Sequence, residues 1–168
     1  SILVAGGAGY IGAHVCKALA AAGYLPVVLD DFSAGTPQFV KFGPSVRACV
    51  SDAQAVARTV AEYQITAVID LAGSIEVAAS LRDPLLYYEN NVARKIPFLR
   101  ALLAGGVKAF VFSSTAAVYG EPQAVPIVET HPLAPTNPYG HSKRMAEQLL
   151  EDVARAHGMR FMALRYFN

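Results

Sequence analysis

Cysteine is scarce. The chain has two, Cys16 and Cys49, far apart in sequence. That excludes a disulfide-stapled scaffold and reads as two buried thiols in a reducing, cytoplasmic compartment. Charge is also sparse: Lys, Arg, Asp and Glu make up 16% of residues, against 54% hydrophobic ones. This excludes a disordered chain and predicts a globular one with well-buried elements. Neither sign of charge dominates, since the formal net charge is +1. With no Lys/Arg cluster interleaved with aromatics, no nucleic-acid partner is expected. No apolar run reaches membrane-spanning length, so no membrane partner is expected either. Ser1-Ile2-Leu3-Val4-Ala5 runs straight into a Gly-rich turn, without the basic stretch of a signal peptide and without an initiator Met. A trimmed N-terminus is therefore expected. His14, His131, His141 and His157 share no metal-ligand spacing with a third partner, and no metal site is expected.

What is present is a strict alternation. The 168 residues suit one domain. Short apolar runs at 2–5, 25–29, 46–50, 67–72, 108–113 and 160–166 read as strands. Between them, helical patterns cover 10–22, 52–63, 75–104 and 139–157. Asp83-Pro84 interrupts the third of these, and Pro97 is expected to kink its second part or limit its start. The aromatics Tyr24, Phe39, Phe110, Phe112 and Phe161 are expected in the core. Alternating strands and helices predict an α/β fold, a Rossmann-type doubly wound parallel sheet with helices on both faces. The chain stops directly after a strand, where a functional loop is expected in such a sheet. It reads as the N-terminal part of a longer protein.

Gly6-Gly7-Ala8-Gly9-Tyr10-Ile11-Gly12 follows the first strand and opens the first helix. Gly6 permits the tight turn, Gly9 the approach of a diphosphate, and Gly12 close packing of helix on strand. The helix N-terminus then offers free N–H groups and a positive dipole end to phosphate. Asp30 ends the next strand, where an acid meets the ribose hydroxyls of an adenosine. Asp30 would repel a 2′-phosphate, and Asp31, Phe32 and Ser33 follow with no Arg or Lys, so NAD is favoured over NADP. Asp52 is open to two roles, helix N-cap or partner of the adenine amino group. Further along, Tyr139 and Lys143 sit four residues apart at the start of a helix, on one face of it. An ammonium beside a phenol favours the phenolate, which makes Tyr139 a candidate general acid/base for a substrate hydroxyl. Ser113-Ser114-Thr115 ends the fifth strand and can supply a hydroxyl to the same substrate oxygen.

GGAGYIG at 6–12, LDD at 29–31, YYENN at 87–91, FSSTAAVYG at 112–120, PYGHSK at 138–143 and RYFN at 165–168 together resemble the extended short-chain dehydrogenase/reductases. Within that family they are most similar to the UDP-glucose 4-epimerases. The resemblance runs in order over the whole chain and implies an NAD-binding domain over 1–168, with a substrate domain beyond it. Tyr139 would be the base for the sugar 4-OH, aided by Lys143 and the positive nicotinamide. Thr115 would hydrogen-bond that hydroxyl, and Lys143 would also hold the nicotinamide ribose. Hydride would leave C4 for NAD and return to the opposite face of a 4-keto sugar, interconverting UDP-glucose and UDP-galactose. Besides Gly6, Gly9 and Gly12, the NAD site would comprise Tyr10, Ile11, Asp30, Asp31, Phe32, Ser33, Ala34, Gly35, Asp52, Ala53, Leu71, Ala72, Gly73, Ser74, Ile75, Asn90, Ser113 and Phe167. Asn168, with Thr115 and Tyr139, would contact the UDP-sugar. A homodimer through helices near 85–104 and 140–157 is implied by the same analogy.

Four positions depart from the family pattern. Ile75 stands where a Lys is frequent, which removes one polar cofactor contact. Asp70 stands where a His is usual, a change expected to touch no step of the chemistry. Pro97 interrupts a helix, and Thr115 replaces a usual Ser while keeping its hydroxyl. A dehydratase of the superfamily would carry an Asp-Glu pair after Thr115, and Ala116-Ala117 occupy that place. A UDP-sugar decarboxylase, or an epimerase acting on UDP-N-acetylhexosamine or UDP-xylose, remains open. So does a fragment that only binds NAD.

Overall fold

The structure, a computed structural model, describes residues 1–167. Six parallel strands form one sheet: β1 (Ile2–Ala5), β2 (Pro26–Asp30), β3 (Ser45–Arg47), β4 (Ala67–Asp70), β5 (Ala109–Thr115) and β6 (Arg160–Tyr166). Their order across the sheet is β3-β2-β1-β4-β5-β6. The chain therefore winds outward on one side of β1, then crosses back to lay β4 on the other side. That reversal opens a crevice beyond the carboxyl ends of β1 and β4, the place where doubly wound sheets take their ligands.

Helix α1 (Tyr10–Ala21) covers one face of the sheet, where Val4, Val28 and Cys16 form a small buried cluster. Helices α2 (Ala53–Tyr63), α5 (Lys95–Ala104) and α6 (Pro138–His157) cover the other. The larger core lies there, around Leu3, Leu29, Val56, Val68, Phe98, Phe110, Phe112 and Leu150. β1 and β2 are buried along almost their whole length, as continuous apolar strands between two helical layers must be.

Several expectations are corrected. The third strand covers Ser45–Arg47, not 46–50, because the chain turns at Cys49, whose carbonyl takes the Asp52 N–H. The fourth strand stops at Asp70, whose own carboxylate captures the Ala72 N–H at 3.1 Å and starts the turn early. The region 75–104 is four pieces: α3 (Val77–Arg82), α4 (Pro84–Tyr88), a single π-helical stretch (Glu89–Ala93) and α5. Pro97 lies in the first turn of α5, where a missing N–H costs little. Tyr24 and Phe39 are not core: they are 56% and 44% exposed, in the turn after α1 and in a 3-10 turn over Pro37–Phe39. Phe110 and Phe112 are buried, and Cys16 is buried while Cys49 is only partly so.

Candidate active site

The first helix begins with no side-chain cap at Gly9 and no acid in its first turn. Its leading N–H groups are thus left for a ligand, and an anion suits them. Gly12 is required by contact: a Cβ there would lie 2.4 Å from the Gly6 carbonyl oxygen and 2.6 Å from the Gly7 Cα. The close approach holds the helix mouth against the end of β1.

A cavity of about 680 Å³ opens above this mouth. It falls in the range of small-molecule sites, roughly 300–1,000 Å³. Of the residues expected to hold a dinucleotide, Gly6, Gly9, Tyr10, Ile11, Gly12, Asp30, Asp31, Ser33, Ala34, Gly35, Leu71, Ala72, Gly73, Ser74, Ile75, Asn90 and Ser113 line it. Phe32 stands behind them with a left-handed backbone (φ 60°), which turns its N–H onto the Asp30 carboxylate at 2.8 Å. Ala8 donates to the other Asp30 oxygen at 3.0 Å, so the acid is fixed by backbone on both sides. Burial pushes the Asp31 carboxyl up, but the Ser33 hydroxyl and N–H, with Arg94, together hold it below its ordinary value.

Asp52 takes the first of its two expected roles: its carboxylate caps α2 through the Ala55 N–H at 2.9 Å. Neither it nor Ala53 lines the cavity, which reaches this loop through Cys49 and Val50. Phe167 is 60% exposed, tilted against Tyr119 with centroids 6.4 Å apart. Asn168 lies outside the described residues.

At the far end of the cavity two adjacent asparagines hold one serine. Asn90 Nδ2 donates to the Ser74 hydroxyl, and Asn91 both accepts the Ser74 N–H and donates to the Ser74 carbonyl. Asn90 Oδ1 is buried with no partner among the described residues, an open acceptor at the cavity. Such an atom fits a ligand donor, because burying it unpaired carries a free-energy cost. Gly73 allows this clamp: a Cβ there would meet Asn91 Oδ1 at 2.5 Å, and its φ of 152° suits glycine.

The Tyr139 and Lys143 pair enters from α6. Asn137 caps that helix through the Gly140 N–H, and Pro138 fills its first position. Tyr139 is half-buried, edge-on to Tyr87 with centroids 6.4 Å apart. Lys143 is buried, and its ammonium donates to the Ser113 carbonyl at 2.9 Å. Among the described residues no hydrogen bond joins it to the Tyr139 phenol. Burial pushes the Lys143 ammonium down to about 7; Lys95 adds to this and Asp70 opposes it. Thr115 ends β5, and its hydroxyl oxygen accepts the Ala117 N–H at 3.1 Å, which leaves its proton to give.

Ser114 points the other way, as strand alternation demands. Its hydroxyl donates to Glu147 at 2.5 Å, and Glu147 receives Arg165 on both oxygens at 3.0 and 2.8 Å. This buried network ties the end of β5 to α6 and β6. Sequence reading missed it, although Tyr139, Lys143 and Glu147 recur every four residues and so mark one stripe of the helix. It also missed Tyr87 of α4, Cys49 of the turn after β3 and Arg94 at the start of α5, which line the cavity. Arg94 comes near Asp31 only in space, and its guanidinium pairs with Glu89 at 3.2 Å.

A model of the NAD dependent epimerase/dehydratase family matches residues 2–168. The chain belongs to that family. It is 48% identical over 168 residues to the UDP-glucose 4-epimerase of Rhizobium meliloti (strain 1021), covering 100% of this chain and 51% of that protein. It superposes on the crystal structure of UDP-glucose 4-epimerase from Brucella ovis in complex with NAD with a TM-score of 0.97. That protein is 43% identical, with 99% of this chain and 51% of that one covered. The UDP-Glc/GlcNAc 4-epimerase from Campylobacter jejuni gives a TM-score of 0.94 at 40% identity, over 99% of this chain and 53% of that one. This member of the epimerase/dehydratase family thus spans about half the length of the relatives it matches.

Proposed function

We propose that this chain is the NAD-binding and proton-transferring half of a UDP-hexose 4-epimerase that interconverts UDP-glucose and UDP-galactose. The observation that supports the reading is how α6 reaches the cleft: Lys143 donates to the Ser113 carbonyl near the end of β5, and Tyr139 stands edge-on to Tyr87. Both Ser113 and Tyr87 line a cleft floored by an uncapped helix mouth, although Tyr139, Lys143 and Thr115 do not themselves line it. The Gly9–Gly12 mouth would hold the diphosphate, Asp30 and the 31–35 loop the adenosine ribose, and Asn90 with Ser113 the nicotinamide end. When bound, NAD supplies a hydride acceptor at the sugar's C4. Tyr139 takes the proton of the 4-hydroxyl and later gives it back. Thr115 donates to the same oxygen and fixes its direction. Lys143 gives Tyr139 a cationic neighbour when protonated, which favours the phenolate.

The uridine diphosphate itself would be held by Asn168 and by residues that follow it in the longer relatives. The dimer would form through the α4–α5 region and α6; Leu85, Ile96 and Met145 present apolar surface there. No described helix is long and apolar enough to cross a membrane. Two unpaired cysteines support a cytoplasmic setting. The test is turnover of UDP-galactose by the full-length protein with NAD, beside UDP-N-acetylgalactosamine. Conversion of UDP-galactose supports the reading, and conversion of neither sugar overturns it. Residues 1–168 alone are expected to give little or no turnover, because they lack the UDP-binding half.

A further inference from the structure

Lys95 is among the largest fully buried side chains of the described residues, and Asp70 is equally enclosed. The Lys95 ammonium donates to Asp70 Oδ2 at 2.5 Å and to the Ala72 carbonyl at 3.4 Å. The other Asp70 oxygen holds the Ala72 N–H. Lys143 comes to the same place from α6. Its Nζ stands 5.0 Å from the Phe112 ring centroid, and that of Lys95 stands 5.1 Å from it. Phe112 is the strand neighbour of Asp70 in the β4–β5 register. Lys143 Nζ also lies 3.8 Å from where a Cβ on Gly73 would be. Two ammonium groups and one carboxylate therefore share the turn that follows β4.

A buried ion pair is weak evidence of stability, since apolar residues of equal volume commonly do as well. An unpaired buried carboxylate beside Lys143 is a different matter, because it would attract that ammonium. We propose that Lys95 is a positioning residue for Lys143: by occupying the Asp70 carboxylate, it leaves the Lys143 ammonium on the Ser113 carbonyl and available to the active site. The inference rests on the functional reading above. It gives Asp70 a part in the chemistry that its sequence position did not suggest. The other charged or titratable groups around Lys143 are accounted for. Tyr139 is one turn away on α6, Tyr87 faces Tyr139 from α4, and Glu147 is engaged with Arg165 and Ser114.

The test uses the full-length protein with NAD and lysine carrying ¹³C at Cε. The Lys143 signal is assigned by its loss in Lys143→Arg. Lys95→Met should move the Lys143 titration upward by about one unit or more, as a close opposite charge does. Its kcat on UDP-galactose should fall about a hundredfold, as for a misplaced group, with KM little changed. Asp70→Asn combined with Lys95→Met should return both quantities close to wild type, and Lys95→Arg should keep them. Lys95→Met and the double variant behaving alike, or no movement in Lys95→Met, would overturn the proposal. Should Lys95→Met not fold, the double variant decides: wild-type titration and kcat support the proposal, and lost kcat sinks it. If wild-type protein turns over no nucleotide sugar, the functional reading fails while the Lys143 signal still decides this one.

Discussion

Replacing Lys143 with Met removes a buried ammonium and keeps most of the side chain's length. In the folded protein this ammonium is pushed down from 10.5 to about 7. The gap of about 3.5 pH units corresponds to a penalty on the order of 5 kcal/mol for keeping the group charged in place. Between those two values the unfolded chain binds the proton and the folded chain has released it, so stability rises with pH. The contribution is full above 10.5 and is lost as pH falls through about 7. Lys143→Met has no such group. Relative to it, the wild type should gain about 2 kcal/mol from pH 7 to pH 9, approaching a slope of about 1.4 kcal/mol per unit. Urea unfolding of the nucleotide-free protein at pH 7, 8 and 9 measures this directly. Parallel stability curves for the two proteins would refute the reasoning, because they would mean that Lys143 is not desolvated in the native state.

Tyr139→Phe in the full-length protein should retain NAD and lose about 10²–10⁴-fold in turnover; unchanged turnover removes Tyr139 from the chemistry. Gly12→Ala should abolish NAD retention and lower the thermal midpoint, since its methyl would collide with Gly6 and Gly7 backbone; normal cofactor content would contradict that contact. Glu147→Gln should destabilise by about 3 kcal/mol in urea, because Arg165 is left without its carboxylate. Asp52→Ala should cost about 1 kcal/mol by the same assay, the ordinary loss of an N-cap, with NAD affinity unchanged.

The doubly wound sheet was legible because its signals are local. Apolar runs of strand length, a glycine turn and a helical period each declare themselves within a dozen residues. Strand ends were less legible. Asp70 and Cys49 close β4 and β3 through a side chain or carbonyl that accepts an N–H two or three residues further on, which apolar patterning does not register. The cavity lining followed from motif position, so most residues named from the sequence do face it. Asp52 did not, since a cap and a ligand contact draw on the same residue type. The two buried ion networks were invisible for another reason. Lys95 and Asp70 are 25 positions apart, and Glu147 and Arg165 are 18 apart. Only the folded sheet makes them neighbours.

The π-helical stretch Glu89–Ala93 restricts how this gene segment can change length. An ordinary helix turns about 100° per residue, so two consecutive side chains diverge. The wider stretch lies where Asn90 and Asn91 both reach Ser74. Deleting any one residue there would swing one asparagine away from the serine and rotate α5, with Lys95 on it, about its axis. Insertions and deletions should therefore gather in the surface loop at 32–44 and avoid 89–93, even though both segments are short stretches between regular elements.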